Sequence, residues 1–216
     1  MLGVDRACPG WCQRAIKNLN AENVATDRVC VYRVRQTIPV QAGPLVLLYP
    51  QWIPGSHAPR GPIEKIAGIR FTTNGQAVAW KRDPLNVYAF HLDIPADMTT
   101  LVAQYDYLTP TDPAQGRVVM TPSMLNLQWN AVLLYPAGHT QTQVMFDPKV
   151  KYPAGWQAGT ALDVERREGD TVVYKRVPLE VLADSPVYAG RPGLGRRELP
   201  RQPSWPRVAQ RAGHHP

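Results

Sequence analysis

Residues 100–108 read TLVAQYDYL, and this stretch decides the fold. Its apolar positions fall at every second residue: Leu101, Ala103, Tyr105 and Tyr107 share one face. A period of two belongs to a strand with one buried side, whereas a helix would repeat every 3.6 residues. The flanking sequence reads the same way. In NVYAFHLDI (86–94), Tyr88, Phe90, Leu92 and Ile94 share a face, and His91 points to the other. RVCVYRVRQTI (28–38) places Cys30, Tyr32, Val34 and Ile38 together.

Working outward, IAGIRFTT (66–73) and AVAW (77–80) flank Asn74-Gly75. That dipeptide is the strongest short hairpin signal, because both turn residues must take positive φ. PLVLLYP (44–50) predicts a buried strand bounded by prolines. LNLQWNAVLLYP (125–136) and QTQVMF (141–146) predict two more. ALDVER (161–166) and TVVYKRV (171–177) bracket a hairpin turn at Glu168-Gly169-Asp170, and PLEVLADSP (178–186) reads as one helical turn stopped by Pro186. About ten short strands with almost no helical periodicity argue for an all-β fold, an antiparallel β-sandwich. The 22 prolines agree, since proline breaks helix interiors.

The ends differ from this body. Residues 1–26 read as a poorly ordered leader with a short helix around Cys12–Leu19, and residues 27–190 as the all-β domain. Residues 191–216 carry six arginines against one glutamate, which is most of the chain's net +7, and have too little apolar surface to offset their ordering entropy. They read as a disordered tail. With a nearly neutral body, a nucleic-acid partner is not expected. No run of about 18 apolar residues exists, so no membrane span is expected, and the N-terminus as written has no signal peptide.

Cys8, Cys12 and Cys30 match no zinc or redox spacing. None of His57, His91, His139, His214 and His215 is followed by glutamate, so the H-E-x-x-H zinc helix is missing from the sequence. Ser56 beside His57 does not form G-x-S-x-G, and Ser185 in Asp184-Ser185-Pro186 suits turn chemistry. The acids are scattered, and no phosphate-binding G-x-x-x-x-G-K-[ST] loop occurs. Trp52, Trp80, Trp129 and Trp156 suit either core packing or a platform that grips peptide or glycan. The expectation is no catalytic, cofactor or metal residue in this chain.

One segment stands apart. YPQWIPGSHAPR (49–60) has three prolines that fix φ, and one glycine where the chain turns freely. Together with its surroundings, LLYPQWIPGSHAPRGPI (47–63) resembles the N-terminal segment of the glycyl aminopeptidase family, zinc metallopeptidases of the thermolysin-like gluzincin group. The residues that carry the resemblance are Pro50, Trp52, Pro54, Gly55, Ser56 and Arg60; His57 stands where a tyrosine often follows the serine. WKRDPLNVYAF (80–90), TPTDPAQGRVVM (109–120), LNLQWNAVLLYPAG (125–138) and LEVLADSPVYAG (179–190) extend it over roughly residues 27–190.

The resemblance implies a division of labour: an N-terminal all-β domain, then a thermolysin-like catalytic domain carrying the zinc, then a PDZ domain. This chain matches the first part, departs from the pattern at Arg191 and is expected to be truncated before the catalytic domain, its tail read out of frame. It implies a domain inactive by itself that docks on a catalytic domain of the same family and shapes its substrate cleft. Trp52, Pro54, Gly55, Ser56, His57 and Arg60 would form the docking or cleft-wall loop. It further implies zinc in the parent family only, an exported or periplasmic parent, and self-association through an exposed docking face. The alternative is a stand-alone β-sandwich that binds peptide or glycan.

Overall fold

The computed structural model describes residues 31–53, 57–110, 120–121 and 123–192, and the backbone of 16–23. Cys8, Cys12, Cys30, Pro54, Gly55, Ser56, most of the 109–116 loop and the tail from residue 193 onward lie outside the described residues.

In chain order the strands are β1 (Ile16–Asn23), β2 (Val31–Pro39), β3 (Gly43–Leu48), β4 (Ile66–Thr73), β5 (Gln76–Ala77), β6 (Trp80–Arg82), β7 (Ala89–Ile94) and β8 (Thr100–Leu108). There follow β9 (Met124–Leu127), β10 (Tyr135–Pro136), β11 (Met145–Lys151), β12 (Gln157–Gly159), β13 (Val164–Glu168), β14 (Thr171–Tyr174) and β15 (Val177–Pro178). A short helix, α1 (Leu179–Ala183), precedes β16 (Val187–Gly190). They build a nine-stranded sheet in the order β13-β14-β11-β1-β2-β8-β4-β5, with β15 also on β11. A four-stranded sheet, β10-β3-β7-β6, and a three-stranded sheet, β12-β16-β9, complete the fold. Pairing is antiparallel apart from β1 with β11.

The alternation in 100–108 holds residue by residue: Leu101, Ala103, Tyr105 and Tyr107 are buried on β8. β2 lies beside it, with Tyr32, Val34 and Ile38 buried on the same side. Asn74 and Gly75 take φ of 46° and 80°, the geometry the hairpin needs. After that hairpin the chain changes sheets, so AVAW is not one strand: β5 ends on the large sheet, Val78 is buried at the crossing, and β6 begins on the four-stranded sheet. Phe71 on β4 then meets Trp80 at 5.9 Å and Phe90 on β7 at 6.2 Å between ring centroids, joining the two layers.

Three expectations give way. Residues 16–23, inside the segment read as leader and across the end of the helix expected around Cys12–Leu19, form β1. Its ladder is the reason: β1 bridges β2 on one side and β11 on the other, so pairing overrides a weak local pattern. The strand expected over 125–136 splits into β9, a 3-10 turn at Trp129–Ala131, and β10. The turn drops the Trp129 indole into the core, where Nε1 donates to the Ser185 carbonyl at 2.9 Å. The strand expected over 141–146 starts later, because residues 140–143 close a turn: Gln143 N–H donates to the Thr140 carbonyl, and Thr140 N–H to the Gln143 side chain, each at 3.0 Å. Within β11, Pro148 has no N–H for a ladder, and the register against β1 shifts between Lys17 and Leu19 at that place.

Gln36 is fully buried among the apolar residues of β2. Its carboxamide accepts from Leu134 N–H at 2.9 Å and donates to the Leu134 carbonyl, satisfying both buried groups.

Candidate functional site

The proline-rich loop is closed at its base by the backbone. Gly61 N–H donates to the Gln51 carbonyl at 3.0 Å. A Cβ on Gly61 would lie 1.9 Å from the Pro50 carbonyl oxygen and 3.1 Å from the Tyr88 ring, so only glycine permits this crossing. Below it, Tyr49 is buried and donates its hydroxyl to the Ala131 carbonyl at 3.0 Å. Burial, with the neighbouring Tyr107 and Tyr105 adding to it, raises the Tyr49 phenol well above its ordinary value. Tyr88 stacks on Tyr49 with the rings 10° from parallel, and its own hydroxyl donates to the Pro59 carbonyl at 3.3 Å.

On this base Trp52 is 63% exposed, and His57 and Arg60 are exposed too. Pro54, Gly55 and Ser56 lie outside the described residues, so the geometry of that hallmark is described only at its flanks. Across from Trp52 stands α1. A cleft of about 660 Å³ separates them, walled by Pro50, Gln51, Trp52 and Ile53 on the loop side. Leu179, Glu180, Ala183 and Asp184 form the opposite wall; Asn130, Tyr135 and Gln141 lie between. Burial raises the Tyr135 phenol. The sequence reading did not bring Asn130, Glu180 and Asp184 to the loop. They lie about 80 and 130 positions away, and of that wall only the helical turn stopped by Pro186 was read from the sequence.

Among the described residues, Trp80, Trp129 and Trp156 do not form a platform with Trp52. Trp129 is fully buried, and Trp80 and Trp156 pack against the core. Ser185 is buried, and its backbone carbonyl serves the Trp129 indole. His91 points outward as expected and pairs with Asp83 at 2.8 Å. Asp83 Oδ1 accepts from Leu85 N–H at 2.8 Å and Asn86 N–H at 2.9 Å. These amides, then His91, hold its carboxyl below the usual carboxylate range.

A second groove, of about 670 Å³, runs over the outer face of the large sheet. A bulge at Gly68 in β4 opens it. There Arg33 sits opposite Asp106, and Arg35 opposite Gln104, on neighbouring strands. This is the solvated face that strand alternation leaves outward. Among the described residues no three His, Cys, Asp or Glu side chains gather to hold a metal ion, and no helix is long and apolar enough to cross a membrane. Zinc therefore has no fitting donor set among the described residues.

A family model described as "Peptidase M61 N-terminal domain" matches residues 19–191. No curated protein matches the chain. Among solved structures, the chain is similar to an aminopeptidase N family protein from Idiomarina loihiensis, at 16% identity and a TM-score of 0.60. That match covers 82% of this chain and 28% of the other. Weaker likenesses reach an M1 zinc metallopeptidase from Deinococcus radiodurans (13% identity, 82% and 41% coverage, TM-score 0.40) and yeast LTA4 hydrolase in complex with bestatin (11%, 84% and 29%, 0.46). At 16% identity, the first likeness concerns the fold, and this chain spans little more than a quarter of that protein's length.

Proposed function

We propose a role from one premise: the chain belongs to the peptidase M61 N-terminal domain family. As a peptidase-associated N-terminal domain, it is read here as a non-catalytic unit that docks on a catalytic domain of the same family and shapes one wall of its substrate cleft. The observation that carries this reading is Trp52. A large aromatic side chain, 63% exposed, stands on a loop whose base is fixed by a backbone bond and a glycine crossing. A rigid, exposed aromatic loses little entropy on burial, which is what an interface anchor requires. Zinc would then belong to the catalytic domain, whose bound water it would activate.

The test is a titration of the chain against a separately expressed catalytic domain from an M61 peptidase. Saturable association is expected, weakened about tenfold or more by Trp52→Ala, in keeping with loss of an interface anchor. The chain alone is expected to leave glycyl and alanyl substrates uncleaved. Cleavage by the purified chain that a chelator abolishes would overturn the reading, as would association indifferent to Trp52→Ala.

A further inference from the structure

We propose that the cleft between Trp52 and α1 binds an extended peptide carrying a basic side chain next to a large apolar one. Two independent observations point there. The first is at the floor. Asn130 is only 8% exposed and lines the cleft, yet its carboxamide has no hydrogen-bond partner among the described residues. The carboxamide is open to the cleft rather than sealed in the core, so its unused donors and acceptor are available to a ligand seated there. Its donors and acceptor match the carbonyl and N–H of one peptide unit.

The second observation is at the rim. Glu180 and Asp184 lie four residues apart across α1, both exposed and both on the cleft. At that spacing like charges face each other and repel. Neither forms an ion pair among the described residues, and no lysine or arginine lines the cleft. A cation between the two carboxylates relieves their repulsion, and the Trp52 ring face adds attraction for it. Trp52, Ile53 and Leu179 supply apolar wall for the neighbouring side chain. The ligand's chemistry follows: a main-chain amide for Asn130, an apolar side chain for the walls, and a cation for the rim. This site goes beyond the docking role, and its test needs no catalytic domain.

The full chain is titrated with acetyl-leucyl-arginine amide, and the Asn130 side-chain and Trp52 indole resonances are followed by NMR. Acetyl-leucyl-alanine amide and acetyl-leucyl-glutamate amide serve as comparisons. Saturable shifts at both resonances are expected, with the arginine peptide about fivefold tighter than the alanine peptide, the size of a partly exposed ion pair. The glutamate peptide should bind weakest. In the Glu180→Gln, Asp184→Asn double variant the three affinities should converge, while Trp52→Ala should weaken all of them. Equal affinities in the unaltered chain, the same preference in the double variant, or no saturable shift at Asn130 would each overturn the proposal.

Discussion

Two neighbouring segments present apolar side chains to solvent and hold them by different physics. The loop from Gln51 to Gly61 carries Trp52; the turn from Asp83 to Tyr88 carries Leu85, which is 97% exposed. Tyr88 joins them, ending the turn and reaching the Pro59 carbonyl. The base of the loop is held by uncharged groups: a glycine pressed on a carbonyl, a backbone hydrogen bond, and a buried tyrosine whose raised pKa keeps its phenol neutral. The turn is fixed by one solvated carboxylate, which caps two amides and meets His91. Neutral restraint is indifferent to acid, whereas restraint by a solvated carboxylate is lost when it is protonated.

The strongest way to break the comparison is Gly61→Ala. The added Cβ meets backbone at 1.9 Å and has no flexible side chain to push aside, so a loss of about 3 kcal/mol is expected in chemical denaturation, at the upper end for overpacking. An unchanged midpoint would mean that the loop base moves freely. Next comes Tyr49→Phe, which removes the donor to a buried carbonyl. It should cost about 1–2 kcal/mol while leaving the ring stack in place.

The smallest effect belongs to the turn. The folded Asp83 pKa is depressed, so the group binds a proton more readily when unfolded. Its contribution is therefore present above the unfolded carboxylate value, near pH 4, and disappears as pH falls through the lower folded value. Amide exchange at Leu85 and Asn86 should accelerate only in that acid range, with the Gly61 amide unaffected. Parallel loss of protection at all three amides would erase the distinction between the two segments.

What the sequence revealed, and what it hid, follows the same divide between local and distant causes. Residues 100–108 and 28–38 announce their buried faces because alternation is a local property, and Asn74-Gly75 announces its turn because φ is local too. Gln36 shares the buried face of β2 but was hidden by its polarity. What makes it a core residue is Leu134, 98 positions away. Trp129 breaks its strand for a carbonyl 56 positions on. The loop 49–60 stood out in the sequence by its prolines, while the wall across from Trp52, Glu180 and Asp184, did not, since nothing near those residues encodes which surface they face.

β1 carries a consequence for synthesis. It is the inner strand that holds the two halves of the large sheet together, lying between β2 and β11, with Ile16 paired to Phe146 and Glu22 to Lys151. One half can form early, because β2, β4 and β8 are close in sequence. The other side of β1 must wait until more than 120 further residues have left the ribosome, and closing so long a loop is slow. During that interval the nascent chain exposes an unpaired sheet edge, the kind of surface that recruits chaperones or foreign strands.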